Sequence, residues 1–326
     1  AYAGTTRRFV FEWRNNNTGG TQPPASVDNI NVTKITCTAP SALVLNSVTA
    51  QTANISWTAP TTPPASYEYY VSQNSTPPTE TTVASGTSPT NSATVSGLVA
   101  GTTNYIWVRS NCGVNGKSFW IGYVVAQTNQ IPVPLPYSEN FEGTPGFQFS
   151  NINQPNYWMI GNDTQNGGTK SMYITNNAQN NEYTITSASS VAAFKDFIIP
   201  TGAAEINIQF DFKGMGQAAT DRMKVWLVPT TFVPVSGTNI TAGTSGGVQI
   251  GLTNYSEVSN WTTYNNVINA TALAGSNRRL IFEWINNTTT GTQPPAAVDN
   301  ININVITCVA PTNPVLNSVE QDEATL

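Results

Sequence analysis

Histidine is absent from the 326 residues. That removes the Ser-His-Asp and Cys-His forms of nucleophilic catalysis, together with the commonest transition-metal ligand. The remaining chemically capable groups are three cysteines (Cys37, Cys112, Cys308) and scattered carboxylates. Among the latter, Glu139 and Glu142 flank Phe141, Asp163 stands in GNDTQNGG, and Asp299 opens the last apolar alternation. A glycosidase needs two carboxylates facing each other across a cleft, and nothing in the sequence pairs acids with a tryptophan-lined groove. Tyr157, Trp158, Trp226, Trp261 and Trp284 are candidates for stacking on sugar rings. However, Trp226 alternates with Lys224 and Trp284 with Phe282, a spacing that favours core positions. Asn-X-Ser/Thr triplets such as those at Asn54 and Asn260 arise by chance in so Asn- and Thr-rich a chain. The expectation is a protein that is not an enzyme.

Composition says what must position these residues. Charged residues are 10% of the chain, against about 25% in an average soluble domain, so neutral Asn and Thr carry the polar surface. Thr with Val, Ile and aromatics suits half-buried strands, and good helix formers never run together. The fold class is all-β. The net charge of −5 comes with no basic stripe, which excludes a nucleic-acid partner. No apolar run reaches the ~18 residues of a helical membrane span.

Residues 1–55 align without a gap onto 272–326, with about 33 identical positions. The offset is constant at 271, so Arg7 corresponds to Arg278, Asp28 to Asp299 and Cys37 to Cys308. Such a period is too long for a solenoid turn and comprises two whole domains. The chain is therefore expected to begin late in one unit and to stop early in the next.

Residues 38–128 read as short strands punctuated by turns, the pattern of a sandwich. Candidate strands are 52–58, 67–73, 92–95, 103–110 and 122–127, with Trp57, Tyr105 and Trp107 as large core groups. In GLVAGTTNYIWVRS (97–110) a Leu precedes a Gly-Thr turn and a Tyr follows that Leu by seven positions. This closely resembles the fibronectin type III pattern, with Leu98 and Tyr105 as its tyrosine corner and Trp57 as its strand-B tryptophan. Related bacterial modules carry a cysteine at the positions of Cys37 and Cys112. The resemblance thus implies a disulfide between them, and with it an oxidising compartment. Cys308 then starts the next unit. The competing reading is three buried free thiols.

IPVPLP (131–136) places three prolines at alternate positions, which favours an extended, semi-rigid linker (129–136). Residues 137–307 form the larger domain, with candidate strands 183–186, 206–213, 223–229, 262–268, 279–284 and 298–305. Its short features run in order: YSENFEG, NYWMIGN, KDFIIP, DRMKVWLVP, NWTTYNNVI, FEW and VDNI. That series is similar to the cleaved-adhesin jelly-roll modules of secreted haemagglutinin and gingipain-type proteins, which are related in shape to MAM domains. The resemblance implies a structural Ca²⁺ near the entry and exit of the jelly roll, with Glu142 and Asp299 as oxygen ligands. The alternative is a solvated Glu and an Asp satisfying turn amides. The acid-rich stretch of those modules is reduced here to Asp163.

The organisation expected is therefore 1–37, closing strands of a jelly roll; 38–128, fibronectin type III-like; 129–136, linker; 137–307, jelly roll; 308–326, start of the next fibronectin type III-like domain. Alternation of these modules is similar to surface proteins exported by the type IX route. It implies a structural or adhesive repeat of an extracellular protein or filament on a Gram-negative cell surface. Its partners would be further repeats or other copies, surface glycans, or host and substratum proteins. The rival is a carbohydrate-binding module array appended to a secreted enzyme. Residues 1–36 are expected to adopt the conformation of 272–307. An isolated two-stranded ribbon is marginal, so they are expected to complete a jelly roll other than the one formed by 137–307.

Overall fold

The computed structural model describes residues 5–16, 18–30, 32 and 36–307, together with the backbone of two short strands at 318–319 and 324–325. Cys308 and the side chains of the segment expected to begin a further domain lie outside the described residues.

The first sandwich comprises β1 (Ser41–Val48), β2 (Thr52–Thr58), β3 (Ser66–Ser72), β4 (Gly86–Ser88), β5 (Ser92–Ser96), β6 (Thr103–Asn111) and β7 (Ile121–Gln127). One sheet has the order β1-β2-β5 and the other β4-β3-β6-β7. Alternation on β2 sends Ala53, Ile55 and Trp57 inward. There they meet Tyr67, Leu98, Ile106, Val108 and Ala126 from the facing elements. One expected core group is corrected: Trp107 is buried at 2% exposure, whereas Tyr105 is only half-buried. Ile106 and Val108 fill the core, and by the two-residue side-chain period this puts Tyr105 and Trp107 on the outer face of β6. Strand β6 is apolar on both faces, so its pattern does not state which face is inside. Tyr105 is therefore not a core residue, although Leu98 is.

After β8 (Val133–Pro134) and β9 (Tyr137–Glu139), the second sandwich continues through β10 (Gln148–Ser150), β11 (Tyr157–Gly161), β12 (Ser171–Thr175), β13 (Ser189–Ile198), β14 (Glu205–Gly214) and β15 (Arg222–Pro229). A single helical turn, α1 (Ala242–Ser245), precedes β16 (Val248–Tyr255), β17 (Val258–Asn269), β18 (Asn277–Asn286) and β19 (Ala297–Ile306). The sheets run β10-β13-β18-β15-β16, with β8 added to β13, and β11-β12-β19-β14-β17, with β9 added to β19. Phe210, Phe282, Trp284, Trp158 and Tyr255 lie in the core between them. A smaller cluster of Phe194, Trp226, Val228, Ile240 and Ile281 covers the outer face of the first sheet. Central strands β13 and β18 are therefore buried on both faces, including the charged Lys195, Asp196, Arg279 and Glu283.

The expected strand 183–186 is instead loop. Side chains satisfy its backbone: Asn156 Oδ1 accepts from Thr184 N, Gln293 Oε1 accepts from Tyr183 N, and Gln293 Nε2 donates to Tyr183 O.

The expected linker is not a free spacer. Val133 and Pro134 pair in parallel with Phe197 and Ile198 of β13, and Leu135 packs on the jelly-roll core. Just before it, a glutamine clasp ties the two sandwiches together. Gln130 Nε2 donates to Phe194 O (2.8 Å), and Gln130 Oε1 accepts from Asp196 N (3.0 Å). Gln148 Nε2 reaches back to Thr128 O (2.7 Å), and both glutamines are buried.

The 271-residue offset reappears in the pairing. Ser47 pairs with Asn54 and Val48 with Ala53, and the two short C-terminal strands, β20 (Ser318–Val319) and β21 (Ala324–Thr325), pair Ser318 with Thr325 and Val319 with Ala324.

Residues 5–16 and 18–30 form no strand and are exposed throughout. The expected likeness to 272–307 survives in local geometry. Asn29 and Asn300 share a left-handed φ, +51° and +49°, and each backbone N–H donates to the preceding aspartate. The strand ladder of 272–307 is not reproduced, because a strand requires neighbours and here the body is already filled by β18 and β19.

Candidate functional site

Cys37 and Cys112 are joined by a disulfide, with Cα atoms 5.7 Å apart. Nearby, Arg109 is buried against Glu68 in an ion pair of 2.7 Å, and Lys117 reaches the other Glu68 oxygen. Burial pushes the Glu68 carboxyl up, but the bonds from Lys117 and Arg109 outweigh it and hold it below the usual range.

The outer face of β6 carries Tyr105, half-buried, and Trp107, fully buried beneath a cluster of rings. Tyr70, Trp107, Tyr105 and Tyr123 pack ring against ring, and the Arg109 guanidinium lies 4.1 Å from the Trp120 ring centroid. Trp120 Nε1 donates to Thr79 O, fastening the loop that carries Pro77 and Pro78. Between that loop and β7 lies a groove of about 390 Å³, with Phe119, Trp120 and Tyr123 among its walls. Phe119 and Tyr123 are 47% and 46% exposed, enough to offer ring surface to a flat apolar ligand face.

On the jelly roll, a second hollow of about 500 Å³ sits over Ser190, Arg222, Ile285 and Asn286, walled by Gln154 and Asn239. Its lining mixes amides, hydroxyls and one guanidinium with the apolar Ala188, Ala219 and Ile285, and Arg222 Nε lacks a hydrogen-bond partner there. Such groups hold hydroxyl-rich ligands. Neither hollow presents the paired carboxylates of glycoside hydrolysis.

Of the aromatics considered for sugar stacking, Trp158 and Trp284 are in the core and Trp226 is in the outer cluster. Tyr157 and Trp261 are half-buried.

Glu142 and Asp299 are brought to one loop, 162–170. Glu142 accepts from Thr169 N, Lys170 N and the Thr169 hydroxyl, and these bonds, the hydroxyl first, hold its carboxyl below the usual range. Asp299 is fully buried and accepts from Asn166 N and Asn300 N, both at 2.8 Å. Across the sheet its register partner is Asp211, a residue sequence reasoning missed. Asp211 accepts from the Asn166 and Asn300 side-chain amides and from the Thr263 hydroxyl. The available signal was an acid set among alternating apolar residues in FDF and VDN. Burial, then the charges of Asp211 and Glu142, push Asp299 up to about 6 against the opposing amide bonds.

The fit to a divalent cation can be tested on these donors. Each of the six carboxylate oxygens already accepts from an N–H or O–H group, and backbone amides cannot turn away. No three acids converge among the described residues, and Asp163 is spent on Asn181 N. As they stand, the three acids hold loop 162–170 and its neighbours through N–H and O–H groups.

No described helix is long and apolar enough to cross a membrane. No curated protein matches the sequence. Among solved structures, the chain is similar to the enzymatically active domain of bacteriophage CBA120 tailspike protein 4, at 14% identity and TM-score 0.31. That match covers 51% of this chain and only 20% of the tailspike. A carbohydrate-binding module from the β-sandwich superfamily matches at 12% identity, covering 82% and 98% of the two chains, TM-score 0.32. The K1 cleaved adhesin domain of Lys-gingipain from Porphyromonas gingivalis W83 matches at 9%, covering 52% and 98%, TM-score 0.33. The family model "Fibronectin type III domain" matches residues 38–121. With its three- and four-stranded sheets closed over Trp57 and Leu98, that segment is a fibronectin type III domain, joined to a larger β-sandwich.

Proposed function

We propose that this chain is a structural and adhesive repeat of an extracellular surface protein or filament, without catalytic activity. The observation that carries the reading is the clasped joint within a 271-residue repeat. Gln130 and Gln148 hydrogen-bond across the two sandwiches, and Val133–Pro134 continues one of the jelly-roll sheets. A joint fixed in this way holds the two sandwiches of a unit at one set geometry, which extends reach without slack at that joint. The disulfide supports an oxidising, extracellular setting. Placement on a Gram-negative surface, and export by the type IX route, belong to the same proposal.

The test is small-angle scattering on the chain and on its Gln130→Ala/Gln148→Ala variant. The joint should be rigid in the former, and the variant should show a larger and broader distribution of dimensions. Equal profiles would remove the rigid-repeat reading.

A second reading, glycan binding, is favoured by the aromatic groove at Phe119, Trp120 and Tyr123. A glycan array should then show binding that Tyr123→Ala abolishes. Turnover of any bound glycan would instead favour modules of a secreted enzyme. The acids at Glu142, Asp211 and Asp299 are assigned to holding loop 162–170 through amides, with no Ca²⁺ required.

A further inference from the structure

The sheet edges of this molecule are not alike. A free edge is a row of unpaired N–H and C=O groups, and stable monomers shorten it, bulge it, or guard it with lysine or proline. Among the described residues β4, β5, β8, β9, β10 and β11 are five residues long or fewer. Strands β1, β7 and β16 are longer, but each is broken by a register shift against its sheet neighbour. Strand β16 also turns at Gly251, with φ of +72°.

Strand β17 lacks these guards along most of its length. Its twelve residues, VSNWTTYNNVIN, hold no charge, no proline and no glycine. Its one register shift lies near its start, opposite Phe212 and Gly214. From Thr262 to Asn269 its ladder to β14 runs without a break. No strand among the described residues pairs with its other side. Tyr264 and Ile268 pack toward the core, so Thr263, Asn265 and Val267 face outward, where all three are exposed.

The occupant such an edge fits is its own copy. A second β17 has the same length and twist and is already extended, whereas a loose peptide must first be ordered at an entropic cost. Antiparallel self-pairing about a two-fold axis uses the same patch on both partners. It sets no like charges opposite one another, because the strand carries none. The other edges offer no matching unbroken ladder, since each is short or bulged.

We propose that the free edge of β17 is an interaction surface for a second copy of this chain. The two strands pair antiparallel over 262–269, so that two jelly rolls share one continuous sheet. One such ladder is at the small end of specific interfaces, and a single contact is therefore weak. In an array the edge recurs once per unit, and weak contacts acting together hold far more tightly. That last step alone rests on the repeat reading.

The test is equilibrium sedimentation of the full chain up to about 1 mM, where a weak contact is populated, with hydrogen exchange read at low and high concentration. All chains carry Cys308→Ser, so that this cysteine cannot cross-link two copies. The mass should rise toward that of two chains. The edge-facing amides of 262–269 should exchange at least tenfold more slowly at high concentration. Asn265→Lys sets like charges across the two-fold axis and should weaken association at least tenfold, with the melting midpoint unchanged. Leu252→Lys, on the bulged edge β16, should leave association as it was. A mass that stays monomeric throughout, equal effects of the two lysines, or association without protection of 262–269 overturns the proposal. None of these outcomes bears on the Gln130–Gln148 joint, which scattering tests separately.

Discussion

Two stretches of nearly the same sequence lie in this molecule in opposite states. In 279–286 Phe282 and Trp284 are fully enclosed and Arg279 is paired with Asp196. In 8–15 their counterparts are exposed and no ladder forms. Local chemistry is shared: the same asparagine takes a left-handed φ, and the same aspartate accepts from it. The difference teaches that this sequence encodes turn geometry by itself, whereas strand and burial come only from β13, β15 and β14 alongside.

The sharpest way to break that comparison is to substitute matched residues. Phe282→Ala should cost about 3–5 kcal/mol by opening a cavity in the core. Arg279→Ala should cost about as much, because it strands Asp196 as a buried charge. Phe11→Ala and Arg8→Ala in the monomer should change stability by no more than about 0.5 kcal/mol. Urea unfolding followed by tryptophan fluorescence reads all four. A loss at Phe11 approaching that at Phe282 would mean that 5–30 is already packed in the monomer.

Next in size is a comparison between the two domains. Cys112→Ser opens a cross-link spanning 75 residues of chain, for which about 2–4 kcal/mol is typical. The loss should be confined to the fibronectin type III transition in calorimetry, just as Phe282→Ala should be confined to the jelly roll. If either substitution lowers both transitions equally, the glutamine clasp couples the domains into one folding unit.

A smaller effect separates acids held by amides from a metal site. Millimolar Ca²⁺, or a chelator, should leave the jelly-roll midpoint unmoved, since no donor awaits the ion. A rise of several degrees with Ca²⁺ would show that the amides are displaced by it. Sequence reasoning reached this region only in part. Most strands were legible, because 52–58, 206–213 and 298–305 alternate with one clear inner face. Glu142 and Asp299 were named only through the resemblance, as Ca²⁺ ligands, and their common loop 162–170 was not legible. Asp211 was not legible either, because register across β14 and β19 is set by long-range pairing that no local pattern states. Tyr105 was misplaced for a related reason, while Trp107 is buried as expected, beneath the rings of Tyr70, Tyr105 and Tyr123. The outer face of β6 is covered by Trp120 and the loop at Thr79, so both faces read as apolar. The docking of Val133–Pro134 was hidden because an edge strand can carry prolines whose pattern also describes a linker.

The last effect turns on one residue in its two settings, Asp299 and its exposed counterpart Asp28. Asp299 lies buried opposite Asp211, and its carboxyl is pushed up to about 6 from an ordinary value of 3.8. The fold therefore binds that proton more tightly than the unfolded chain does. The stability linked to it is fully present below about 3.8 and is lost as pH rises through about 6. Between pH 7.5 and pH 4.5 the jelly-roll midpoint should rise by a component that Asp299→Asn removes and Asp28→Asn leaves intact. Glu283 is also pushed up by burial and contributes with the same sign, but it is present in both variants and cancels in the difference. The absolute stability of Asp299→Asn is not the readout, since one half of the new amide would face an N–H donor. The slope with pH is. Equal slopes for wild type and Asp299→Asn would mean that the Asn166 and Asn300 amides hold the carboxylate ionised despite its burial.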